Sequence, residues 1–164
     1  MHFDKKTLRF LLEFIFIFTI FVLPPMLNKR DFTPPPQPEG FFYVLVFISK
    51  IVFFAAYEEI LYRIYLPYRI KSFYGENPES FKSAFAVSEI LPVIFFALAH
   101  RYLGPFNVLY AAAAGIIFRV LYVLIQKKSS AKCSITTASI KAALCVIVLH
   151  SVHNGIIYLL IFKG

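Results

Sequence analysis

The chain has 164 residues, 59% of them hydrophobic, with 20 Phe, 10 Tyr, no Trp and a formal net charge of +8. A mean hydropathy of +0.71 is too high for an ordinary soluble domain; it predicts an all-α, polytopic bundle of transmembrane helices, which satisfy every backbone group within one segment. The charge does not point to nucleic acid, because Lys and Arg fall in short clusters between apolar runs and form no basic stripe with interleaved aromatics.

The length is that of a single domain, so residues 1–164 are read as one membrane-embedded unit. Lys5, Lys6 and Arg9 precede an apolar run that resembles a signal peptide. No small-residue cleavage site follows, so a retained first span is expected over about 8–27. Residues 28–40, with Pro34, Pro35, Pro36 and Pro38, read as a stiff connecting loop. A second helix is expected from Phe41 towards Lys71, longer than a bilayer needs, with Pro67 able to kink or end it. Asn77-Pro78 marks a turn. The third span covers about Ser83 to His100, and Gly104-Pro105 breaks the chain after it.

The fourth span is expected from about Phe106 to Ile125. Its Ala111 and Gly115 form a small-xxx-small pair that lets another helix come close. Arg119 near its end is matched by depth with Glu89 of the third span. A basic loop over 126–141 leads to a fifth span, about Ala142 to Phe162. With about five alternating spans, the clusters at Lys5, Lys6 and Arg9, at Arg69, Lys71 and Lys82, and at Lys127, Lys128, Lys132 and Lys141 share one side. That side is the cytosol by the positive-inside rule, which puts the N-terminus there. Cys133 and Cys145 supply neither a disulfide framework nor a metal knuckle.

Ionisable groups inside apolar spans are costly and mark functional or paired sites. Glu59 and Arg63 are four apart on one helix face, the favourable order for an ion pair. Glu58 is turned about 100° from Glu59, so the pairing rule gives Arg63 to Glu59 and leaves Glu58 for chemistry. A structural clamp between helices is the alternative. Phe96 and His100 are also four apart, so the ring can pack on the imidazole. His150 and Asn154 have the same spacing and can present two donors side by side. Together these groups offer a base, a histidine partner and donors for an oxyanion.

Glu58-Glu59-x-x-x-Arg63, Phe96-x-x-x-His100 and His150-x-x-x-Asn154, in this order on successive apolar helices, resemble the CPBP family. These are the CaaX proteases and bacteriocin-processing proteins, also called Abi, which include the type II CaaX prenyl endopeptidases. The resemblance covers about residues 50–160. It departs from the family at Ile64, where glycine often follows the motif arginine, and in the small number of spans. The resemblance implies an intramembrane glutamic endopeptidase in which Glu58 and His100 activate water. His150 and Asn154 would stabilise the oxyanion, with Glu59, Arg63 and Phe96 in support. It implies no cofactor, a peptide or lipidated-peptide substrate, and membrane lipid as surroundings. His153 is read as a packing residue.

Other readings stay open. Glu58, His100 and His150 could be zinc ligands with water in the fourth position, although no HExxH is present. The same cavity could serve a non-catalytic immunity or scaffold protein. A proton-coupled carrier is disfavoured by the lack of internal repeats.

Overall fold

The computed structural model describes residues 36–74 and 78–163, together with the isolated positions Lys5, Arg9 and Leu12; side chains are described over 36–74 and 85–160. The expected first span and most of the Pro-rich loop lie outside these residues. The described chain is helical, with no strand among the described residues. Its elements are α1 (Phe41–Glu59), a π-helical segment (Ile60–Tyr65), α2 (Leu66–Tyr74), α3 (Pro78–Ala99), a 3-10 turn (Arg101–Leu103), α4 (Pro105–Ser130) and α5 (Ile135–Lys163).

Two of these helices, over Pro105–Ser130 and Ile135–Leu160, are long and apolar enough to cross a membrane. At 1.5 Å per residue each reaches about 39 Å, against a hydrocarbon core of about 30 Å. Large apolar side chains stay exposed along them, including Leu109, Ile117 and Leu124 on α4 and Leu144, Val148, Val152 and Leu159 on α5. A water-soluble helix would carry polar residues on that face.

Helix ends follow local chemistry. Gly104 takes φ 95°, in the region that favours glycine, and Pro105 opens α4 where its missing N–H costs nothing. Lys127 and Lys128 lie in the last turn of α4, the end that attracts cations. Ser134 caps α5, its Oγ accepting from the Thr137 N–H at 3.2 Å.

The helices fall into two compact units. In the unit holding Tyr65–Ile116, α2 packs on α3. Leu66, Ile70, Phe96, Ala97 and Ala111 are buried there, and Lys71 Nζ meets Glu89 Oε1 at 3.4 Å. Pro92 lies inside α3 and lacks the N–H that would reach the Ser88 carbonyl. Gly115 on α4 faces this core. A Cβ there would lie 3.0 Å from Phe96 Cδ1, so the small residue permits the close approach expected of it.

In the unit holding Thr33–Ile64 and Ile117–Gly164, α1 packs along α5. The buried face of α5 is the stripe Ala138, Ala142, Val146 and His150, each four residues from the next. Three small or branched apolar residues thus lead to one buried imidazole. Phe47 and Tyr158 meet edge to face at 5.2 Å, and Gln126 Nε2 donates to Ser139 Oγ at 2.7 Å.

Pro67 neither ends nor visibly interrupts the second helix. The backbone takes up one π-helical segment just before it and continues to Tyr74. A π segment inserts a residue and widens the turn, which changes the face that later side chains occupy.

Candidate active site

Glu58 and Glu59 end α1, and Arg63 follows within the π segment. Glu59 and Arg63 are each 1% exposed. Arg63 Nε donates to Glu59 Oε2 at 3.0 Å, the pair expected from helical spacing. The other carboxylate oxygen is also used. His150 Nδ1 lies 2.8 Å from Glu59 Oε1. A carboxylate accepts only, so Nδ1–H is the donor.

That bond fixes the ring. With Nδ1 directed at Glu59, Nε2 faces the other carboxylate, 3.6 Å from Glu58 Oε2. His150 is 3% exposed, whereas the Glu58 side chain is 28% exposed. The two adjacent glutamates therefore differ in setting. Glu59 is enclosed between a guanidinium and an imidazole. Glu58 reaches the same imidazole from the more open side. One ring nitrogen anchored by a buried carboxylate leaves the other to exchange protons or donate to a reacting group.

Phe118 packs on the His150 ring with centroids 4.9 Å apart and meets His153 edge-on at 6.0 Å. His153 Nδ1 lies 3.2 Å from Asn154 Oδ1. With the ring N–H donating to that oxygen, the Asn154 amide N–H groups are directed elsewhere as donors. His153 is thus an orienting neighbour of Asn154 as well as a packing residue.

His100 belongs to the other unit, at the end of α3. Its Nδ1 donates to the Phe96 carbonyl at 2.8 Å, which leaves Nε2 as the nitrogen not engaged by that bond. The Phe96 ring lies 4.8 Å from the imidazole, the contact expected from the four-residue spacing.

Thus Glu58, Glu59, Arg63 and His150 come together, and Phe96 and His100 form a second pair. Arg119 and Glu89, matched by depth in the sequence, fall in different units. Arg119 Nη1 donates to the Arg63 carbonyl oxygen at 2.8 Å, and Glu89 meets Lys71. Among the described residues no three His, Cys, Asp or Glu side chains are grouped to hold a metal ion. Phe118 and Arg119 are missed as site residues by sequence reasoning. An arginine within an apolar run was the available signal for Arg119; an aromatic among 20 Phe carries none.

The described residues define a class: an all-helical arrangement in which two helices are fit to cross a bilayer, with a buried carboxylate–imidazole–guanidinium cluster. A family model described as type II CAAX prenyl endopeptidase Rce1-like matches residues 40–156, and the chain belongs to this family of membrane-embedded proteases. The resemblance carried by the three motifs is thereby borne out. A protein of Treponema pallidum (strain Nichols), described as uncharacterized, is 34% identical over 146 residues, which cover 87% of this chain and 71% of that protein. No solved structure matches.

Proposed function

We propose that the protein is a multi-pass intramembrane endopeptidase that hydrolyses a peptide bond in a membrane-associated or lipidated peptide, with a glutamate as base and no metal. The observation that carries this reading is the different setting of the adjacent glutamates: Glu59 is held by Arg63 and His150, and the more exposed Glu58 lies 3.6 Å from His150 Nε2.

In this reading Glu58 and His100 bind and activate a water. Glu58 takes its proton as the oxygen adds to the substrate carbonyl, then returns it to the leaving amine. His150, carrying a proton on each ring nitrogen, donates from Nε2 to the oxyanion while Nδ1 stays on Glu59, and the Asn154 amide is the second donor. Glu59 sets the His150 ring, and Arg63 holds Glu59. A general base supplies about 10²–10⁴-fold and one oxyanion donor about 3–4 kcal/mol. The N-terminus is cytosolic.

The test is a proteolysis assay with purified protein in vesicles, against a panel of membrane-anchored peptides with and without prenyl groups. Glu58→Gln keeps size and one acceptor but removes the base. Turnover falls by at least about 100-fold. Cleavage at near-native rate by Glu58→Gln refutes the reading. Tight binding of panel peptides without cleavage by the unmodified protein favours the immunity or scaffold role.

A further inference from the structure

Arg119 lies outside all three motifs, yet it is 9% exposed and touches the backbone of the site. In an α-helical ladder the Arg63 carbonyl would accept from the N–H of residue 67. That residue is Pro67, which has no N–H. A carbonyl in apolar surroundings needs a donor. Arg119 Nη1 supplies one at 2.8 Å, as a charge-assisted bond. The guanidinium is itself held over the Tyr122 ring, 5.3 Å from its centroid. The preceding residue, Phe118, packs on His150 at 4.9 Å. Consecutive side chains of α4 thus touch both partners of Glu59: the backbone that carries Arg63, and the His150 ring.

We propose that Arg119 is a positioning residue for this site: by donating to the Arg63 carbonyl it replaces the ladder bond Pro67 cannot make, and so holds the π-helical segment in the register that keeps Glu59 between Arg63 and His150. Arg63 follows Glu59 across the start of that segment, so its angular position depends on the widened turn. Without the bond the turn can relax towards α-helical geometry, and the Glu59 carboxylate then swings relative to His150 Nδ1. The kinetic consequence rests on the hydrolase reading; the structural consequence does not.

The experiment is a cycle of Arg119→Leu, Arg119→Lys and the double variant Arg119→Leu/Pro67→Ala, in detergent or vesicles. Two readouts are taken: the Nδ1 resonance of 15N-labelled His150, and kcat and KM on whichever panel peptide is cleaved. Arg119→Leu shifts the His150 resonance away from its hydrogen-bonded position and lowers kcat about tenfold or more, with KM little changed. Pro67→Ala restores an N–H to the ladder, so the double variant regains the resonance position and most of the turnover. Arg119→Lys keeps a charged donor and falls between. If Arg119→Leu does not fold, the lysine and double variants carry the comparison. An unmoved His150 resonance in a folded Arg119→Leu overturns the proposal, as does a folded double variant without recovery, which would mark Arg119 as a packing residue alone. Absence of turnover in the unmodified protein refutes the hydrolase reading instead, and the resonance cycle still decides the role of Arg119.

Discussion

Replacing Glu59 by Gln tests the division of labour most directly. Both oxygens of this carboxylate are in use, Oε2 by Arg63 Nε at 3.0 Å and Oε1 by His150 Nδ1 at 2.8 Å. An amide offers one oxygen and one NH2 group, so it can accept from one partner only and presents a donor to the other. The charge is lost as well, beside an Arg63 that is 1% exposed. Breaking a buried pair by removing one partner costs about 3–5 kcal/mol, most of it from the stranded charge. For a chain of this size 1 kcal/mol corresponds to about 2–4 °C in Tm, so Glu59→Gln should melt roughly 10 °C lower in a fixed detergent. Glu58→Gln changes a side chain that is 28% exposed and 3.6 Å from its imidazole neighbour, and Tm should stay within about 2 °C. Adding Arg63→Met to Glu59→Gln removes the stranded charge and recovers part of the loss. Melting curves of the four proteins, with turnover measured on the folded fraction, give the comparison. Equal destabilisation by the two single glutamine variants would return the cluster to a structural clamp. A stable, inactive Glu59→Gln beside an active Glu58→Gln would reverse the assignment.

Three further outcomes are expected. Gly115→Ala places a Cβ 3.0 Å from Phe96 Cδ1, against a buried ring that supports His100; overpacking of this kind costs about 1–3 kcal/mol, read as a lower Tm, and an unchanged Tm refutes the close-approach argument. Reporter fusions after Gln37 and after Cys133 should report opposite sides of the membrane, and the same side for both rejects the alternating topology. Dialysis against a strong chelator should leave turnover intact, whereas loss of activity restored by stoichiometric zinc would establish the metal-dependent alternative.

The residues that the sequence determined are joined by the period of a helix. Phe96 and His100 are four apart within one α-helix, and the backbone places them on one face whatever the helix packs against; Glu59 and Arg63 have the same spacing, across the start of the π segment. The small face at Ala111 and Gly115 follows from the same local geometry, as does the expectation that Arg63 pairs with Glu59 and not with Glu58. The tertiary structure alone decided what meets those pairs from outside the helix. His150 reaches Glu59 across 91 residues of chain, and Arg119 reaches the Arg63 carbonyl across 56. Those contacts depend on how far each helix is rotated and slid along its neighbour. No periodicity encodes that, and within a segment apolar on every face the hydrophobic pattern leaves it unspecified. Pro67 shows the same limit: the sequence marks a break in the hydrogen-bond ladder. Whether the chain kinks, stops or widens there is not written in the proline; the structure shows a π segment before it, with Arg119 Nη1 of α4 on the Arg63 carbonyl at 2.8 Å.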